Sequence, residues 1–146
     1  MHWRVLVIGK PKLDFAKAGV GEYSDRIRHF APLEIESLKS GVREVESAAL
    51  LKRSAEMFRI VLDERGDQLT SLEFARKLSE LEQRGIKSAA LIIGGSDGHT
   101  DELRKSADWL ISLSKFTLQH ELALVVALEQ IYRAYSIKAG TPYHRG

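Results

Sequence analysis

The sequence predicts one α/β domain with a mainly parallel sheet, and three observations carry that expectation. Short apolar runs, among them WRVLVI, FRIVLD and SAALII, alternate with stretches whose apolar residues recur at helical spacing. SAALII has no polar alternation, the pattern of a parallel strand covered on both faces. The chain has 146 residues, 44% hydrophobic and 29% charged, enough for one substantial core and short for two.

The elements follow in order. Residues 3–8 form a strand ended by Gly9 and Pro11. Asp14 is placed to cap a helix over residues 15–30, in which Phe15, Ala18, Tyr23, Ile27 and Phe30 make one buried stripe, and Pro32 closes it. A short strand covers 33–38. Ser40 and Gly41 open a loop, and residues 42–57 carry Val42, Val45, Ala49, Leu50 and Met57 in a helical pattern. The third strand is 58–63. Thr70-Ser71-Leu72-Glu73 matches a capping box, in which the Thr hydroxyl and the Glu carboxylate each satisfy a free backbone N–H, so a helix runs from there to residue 84 and ends at Gly85. The strand 88–93 leads directly into Gly94-Gly95-Ser96-Asp97-Gly98. Thr100 and Asp101 can cap a short helix through residue 107, and 110–113 is a last strand. After a connector over 115–119 comes a helix over 120–138 whose first half, residues 122–128, is apolar on every face. Such a helix is buried all round, either by a second copy of the chain or by neighbouring helices; a homodimer is the expectation.

Composition narrows the function. There is no cysteine, which removes disulfides, thiolate metal sites and cysteine nucleophiles and makes the cytoplasm the expected compartment. The apolar stretch at residues 5–8 is too short for a signal peptide core or a membrane span. Net charge is +2, too small to mark a nucleic-acid binder by bulk electrostatics. Its distribution is uneven: residues 1–60 hold 11 Lys and Arg against 8 Asp and Glu, residues 61–146 hold 11 against 12. Lys10, Lys12 and Lys17, and then Arg26 and Arg28, could meet phosphates or could simply be solvated helix faces.

Two segments could carry chemistry. The glycine turn at 94–98 lies where a strand ends and a helix begins, the place where open α/β sheets offer free backbone N–H groups to ligands. It is neither a dinucleotide fingerprint nor a phosphate loop, and a tight turn alone would also explain it. The tail Gly140-Thr141-Pro142-Tyr143-His144-Arg145-Gly146 either frays or presents a stacking ring, an imidazole and a guanidinium to a splayed nucleotide. His2, His29, His99, His120 and His144 show no paired ligand spacing, so no metal site is expected, and no Gly-x-Ser-x-Gly elbow exists for a hydrolytic triad.

Taken in order, several segments resemble one family. They are Val7-x-Gly9-Lys10, Glu22-Tyr23-x-x-Arg26, Leu62-Asp63, residues 91–98, Leu113-Ser114-Lys115-Phe116-Thr117-Leu118-x-His120, Glu129-Gln130-x-Tyr132-Arg133-Ala134 and Pro142-Tyr143-His144-Arg145. The family is that of the large-subunit ribosomal RNA pseudouridine N3-methyltransferases, of RlmH type, in the SPOUT class. The resemblance implies a deep trefoil α/β knot near the C-terminus, a homodimer, S-adenosylmethionine as cofactor and pseudouridine in 23S rRNA as substrate, met on the ribosome. Carried over residue by residue, it implies a cofactor site of Leu62, Gly94, Leu113, Ser114, Lys115, Phe116, Thr117 and Leu118. It implies catalytic roles for Tyr143, His144 and Arg145, reaching the partner's cofactor. Three departures stand out: Gln119 occupies a position where the family commonly has proline, Leu124 one where arginine is frequent, and residues 37–56 are shorter than usual and lack a Glu-Gly pair. The competing expectation is an RNA- or ribosome-binding homologue with lost or changed chemistry.

Overall fold

Five strands lie side by side and all run the same way: β1 (His2–Ile8), β2 (Leu33–Leu38), β3 (Phe58–Gln68), β4 (Ser88–Ile93) and β5 (Trp109–Ser112), in the order β2-β1-β4-β3-β5. The computed structural model describes residues 1–145, with side chains described as far as residue 143. Parallel neighbours need crossover connections, and α1 (Asp14–Arg28), α2 (Arg43–Arg53), α3 (Ser71–Gln83) and α4 (Asp101–Lys105) supply them. The helix α5 (His120–Ala139) follows the last strand, and a 3-10 turn, Pro142–Arg145, ends the described chain. The expected α/β architecture with a parallel sheet is borne out.

Strand pleating divides the core in two. Trp3, Val5, Val7, Ala89, Leu91 and Ile93 face one way and pack with Phe74, Leu78 and Leu81 of α3, Leu124, Leu128 and Ile131 of α5 and Ile27 of α1. Leu6, Ile8, Val61, Ala90 and Ile92 face the other way against Leu50 of α2 and Leu103 of α4. Each large apolar side chain buried this way contributes about 2 kcal/mol. The central strands are therefore apolar on both faces, as the unbroken run SAALII predicts.

The capping box at Thr70 is present in full: Thr70 Oγ1 accepts from Glu73 N at 3.1 Å, and Thr70 N donates to Glu73 Oε1 at 2.8 Å. Thr100 caps α4 through Leu103 N, and that helix is shorter than expected. Three expectations need correction. Asp14 does not cap α1; the N-cap position is Leu13, and the free N–H groups of Lys12 and Leu13 instead donate to Glu121 Oε1 at 2.7 and 3.0 Å. The stripe assigned to α1 holds only in part: Ile27 is buried and Tyr23 half-buried as expected, with Ala16 and Ser24 also buried, while Phe15 is 51% exposed and Phe30 and Ala18 are exposed as well. Small residues face the start of α5, with Gly19 lying directly against Val125, so the helices pack closely there and Phe15 is left facing outward. In α2, likewise, Glu46, Ser47 and Leu50 are buried while Val42 and Val45 stand in solvent.

The third strand runs five residues past its expected end. Its register against β5 shifts between Leu62 and Asp67, both of which pair with Ile111. Residues 63–66 therefore leave the ladder and rejoin it, a four-residue bulge carrying Asp63, Glu64 and Arg65. No strand pattern announces this polar stretch. Gly66 permits it, because a Cβ there would fall 2.5–2.6 Å from the backbone N, C and Cα of Ile111.

Glu121 ties the start of α1 to the start of α5. Hydrogen bonds from Leu13 N–H, and then from Lys12 N–H, hold its carboxyl below the ordinary value of 4.5. A depressed carboxyl contributes stability that is present above that ordinary value and is lost as pH falls through the lower native one. Glu121→Gln is expected to melt at lower temperature near neutral pH and to show a shallower decline of Tm on acidification. Thermal melts across the acid range check this, and parallel Tm profiles for the two proteins would contradict it.

Candidate active site

At the C-terminal ends of β3, β4 and β5 lies a cleft of about 610 Å³, walled by the bulge 63–65, the glycine turn 94–98 and the connector that follows β5. This is where parallel strands leave backbone groups open and where such sheets seat ligands. Seven of the eight residues assigned to the cofactor line it: Leu62, Gly94, Leu113, Ser114, Phe116, Thr117 and Leu118. Lys115 does not. A smaller recess of about 230 Å³ adjoins it, sharing Leu62, Ser112 and Leu113 and otherwise walled largely by apolar groups such as Leu69, Phe74, Leu91 and Ile111.

The connector is held by its own polar side chains. Ser112 Oγ donates to Ser114 O at 2.9 Å, Phe116 N donates to Ser114 Oγ at 2.9 Å, and Thr117 Oγ1 donates to Glu64 Oε1 of the bulge at 2.9 Å. Gln119, standing where proline was the family expectation, caps α5 by accepting from Glu121 N and Leu122 N at 2.9 and 3.0 Å. The departure thus keeps a defined helix start by another route. Leu124, in place of an arginine, is buried in the core. Phe116 is 82% exposed, an apolar ring standing over the cleft.

Behind the glycine turn, Arg104 ties the bulge to the segment that follows the turn. Its Nη1 donates to His99 O at 2.7 Å and to Asp63 Oδ2 at 3.3 Å, and its Nη2 bonds Asp101. Asp101, and then Asp63, hold the guanidinium proton still more firmly than usual. His99 is buried, with Nε2 3.0 Å from the carbonyl oxygen of Leu62, and burial pushes its pKa down from 6.5. Sequence reasoning gave neither residue a role. Their position just after the glycine turn was the available signal, but helix and turn chemistry alone do not say which side chains fold back under the loop.

The tail residue Tyr143 does not line this cleft. Its ring packs edge-on against Tyr132 at 4.6 Å between centroids, and its hydroxyl lies 3.0 Å from Glu129 Oε2 and 3.3 Å from the Tyr23 hydroxyl. Arg133, bonded to Glu129 at 2.7 Å, stands 5.0 Å from the Tyr143 ring centroid, and Arg26 lies over Tyr23, Tyr132 and Tyr143. Burial first, then the contacts with Tyr23 and Glu129, push the phenol's pKa up, so Tyr143 is a neutral donor and not a base. The side chains of His144 and Arg145 lie outside the described residues. Among the described residues no group of three or more His, Asp or Glu could hold a metal ion, and no helix is long and apolar enough to cross a membrane.

A parallel sheet with its cleft at the strand ends, walled by a glycine turn and a post-strand connector, defines an α/β ligand-binding domain. Residues 1–144 match the family model described as predicted SPOUT methyltransferase. The chain is 43% identical over 145 residues to the ribosomal RNA large subunit methyltransferase H of Thermus thermophilus, covering 99% of each. It is 40% identical over 146 residues to that of Deinococcus radiodurans, covering all of both, and 42% identical over 155 residues to that of Geobacter sulfurreducens, covering 99% of each. Among solved structures, a probable methyltransferase from Bordetella pertussis Tohama I superposes with a TM-score of 0.57 at 12% identity, covering 91% of this chain and 95% of that one. The SpoU methyltransferase AviRb from Streptomyces viridochromogenes, in complex with AdoMet, superposes at 0.50 with 16% identity, covering 92% and 58%. The chain belongs to the SPOUT methyltransferase family.

Proposed function

We propose that this protein methylates N3 of a pseudouridine in 23S ribosomal RNA, with S-adenosylmethionine as cofactor, on the ribosome in the cytoplasm. The observation that carries the reading is the convergence of Leu62, Gly94 and, from the connector, Leu113, Ser114, Phe116, Thr117 and Leu118 on one cleft, in a chain that matches ribosomal RNA large subunit methyltransferases over its whole length. The residues present fit the cofactor. Gly94 lets this wall of the cleft close on the His99 ring with its backbone left bare, since a Cβ placed there would fall 2.7 Å from that ring. The adjoining apolar recess suits a flat base, and the connector offers backbone N–H and C=O groups to its edge. When bound, S-adenosylmethionine supplies an electrophilic methyl group.

The protein must position the nucleotide and manage one proton, because the N3 imide must lose its hydrogen before that nitrogen can attack. Tyr143, protonated across the working range, orients the base. His144 takes or relays the proton, and Arg145 stabilises the anion. Tyr143 sits on the α1–α5 side of its own chain, away from the cleft lining, so it serves the partner's cleft in a homodimer. The outward apolar groups Leu13, Phe15 and Leu122, gathered where Glu121 joins the two helix starts, support that assembly. The trefoil knot is part of the same reading, supported by the SPOUT membership and by the bulge and connector that clasp each other through Glu64 and Thr117. Exposed Lys10 and Lys12, on the loop beside Gly94 and His120, are suited to RNA phosphate.

The test is incubation of the protein and labelled S-adenosylmethionine with purified ribosomes that lack the modification, followed by mass mapping of the rRNA. A single methylated pseudouridine is expected. Cofactor binding without any methyl transfer would instead favour a ribosome-binding homologue with lost chemistry.

A further inference from the structure

Three buried side-chain polar atoms have no partner among the described residues: Arg4 Nε, Ser24 Oγ and His99 Nδ1. Only His99 lines the cleft. The acceptor of its Nε2 is a carbonyl oxygen, Leu62 O, which has no proton to give, so Nε2 carries the hydrogen and donates. In the neutral ring Nδ1 is then a bare lone pair. Desolvation favours that neutral form; the Leu62 carbonyl, Asp63 and Glu46 oppose it and Arg104 reinforces it. The residue is 3% exposed, and Nδ1 is closed to water by its packing against the turn at Gly94, so a ligand donor reaches it as that turn shifts outward. Its Cε1–Nδ1 edge is turned toward Gly94, where an added Cβ would come within 2.7 Å of Cε1 and 3.0 Å of Nδ1.

An acceptor kept dry and unpaired at a ligand cleft is costly unless the ligand completes it. Resting on the cofactor reading above, we propose that His99 is a cofactor-binding residue whose Nδ1 accepts a hydrogen bond from an N–H or O–H of the adenosine half of S-adenosylmethionine. The nucleoside half fits better than the ammonium group. The recess suited to a flat base is walled by Leu62, the same residue whose carbonyl holds the His99 ring. Leu62 and His99 then act together, the strand-end carbonyl fixing the tautomer that faces the ligand.

Two substitutions separate ligand binding from wall-building. His99→Gln keeps a donor near the Nε2 position for Leu62 and removes the acceptor at Nδ1; His99→Asn keeps a polar atom near Nδ1 and loses the donor. Calorimetric titration near neutral pH with S-adenosylhomocysteine, and with 5′-methylthioadenosine, which lacks the amino-acid half, is the measurement. His99→Gln is expected to bind both about five- to ten-fold more weakly than wild type, and His99→Asn to bind better than His99→Gln while melting at lower temperature. Affinity of His99→Gln within about two-fold of wild type overturns the proposal, as does a loss confined to S-adenosylhomocysteine, which would move the donor to the amino-acid half. Absence of binding by the wild type is a different failure: it overturns the cofactor reading, and this inference with it.

Discussion

Gly66→Ala is expected to destabilise the fold by about 3 kcal/mol or more, because the new methyl meets backbone and not a side chain that could rotate away. The added Cβ would fall within 2.5–2.6 Å of three backbone atoms of Ile111, in the strand that both ends of the bulge pair with. Relief requires β3 and β5 to part or the bulge to change register. Either movement carries Asp63 away from Arg104 and Glu64 away from Thr117, so the cleft opens with the loss of stability. Gly21→Ala is the control: it lies in α1 with nothing within 4 Å of the added carbon, and a helix-interior glycine gains roughly 0.5–1 kcal/mol on that change. Denaturant unfolding of both variants distinguishes a local clash from a general cost of losing glycine. Equal midpoints for Gly66→Ala and wild type would contradict the account.

His144→Ala and Arg145→Ala are expected to lower methyl transfer by about 10²- to 10⁴-fold, the range associated with removing a positioned acid–base or anion-stabilising group. Binding of S-adenosylmethionine should change little, because the cleft lining comes from residues 43–123. The sharper measurement mixes two inactive proteins. Arg145→Ala keeps an intact cleft, and Gly94→Val keeps an intact tail while its side chain collides with the His99 ring and distorts the cleft wall. If the tail serves the partner's cleft, half of the randomly mixed dimers hold one complete site, and activity recovers to about a quarter of wild type. No recovery after subunit exchange would place tail and cleft in the same chain.

The sheet was legible because its signals are local. SAALII is apolar without alternation and became a central strand; Thr70 and Glu73 stand three apart and formed the reciprocal cap. The cofactor loop was legible only through resemblance, since Leu113 to Leu118 holds no periodic or titratable pattern. What could not be read depends on partners far along the chain. Asp14 had the right chemistry for a cap, but no side chain caps α1; Glu121, 108 residues from Leu13, instead takes the amides of Lys12 and Leu13 just before the helix. Phe15 and Val45 fitted helical stripes, yet the buried faces belong to Ala16, Glu46 and Ser47, because close packing selects small or hydrogen-bonded groups that hydropathy counts as weak. His99 is a surface residue by type, and only the folded turn places it beneath Gly94.

The hydrogen bonds that close the molecule join β1, α1 and the loop between them to the last helix and the turn after it. Trp3 Nε1 donates to Tyr135 across 132 positions, Lys12 N to Glu121 across 109, and Tyr143 meets Tyr23 across 120. A chain made from the N-terminus onward therefore leaves the ribosome with β1 and α1 formed in outline but unsealed on the α5 side. The indole of Trp3 and the free amides before α1 find their partners only after nearly the whole chain has been synthesised. Contacts of such sequence separation are slow to close, and until they do the apolar flank of the sheet is exposed to other chains. Truncating the last helix would thus do more than remove a tail: it would hold the nascent chain in its most aggregation-prone state.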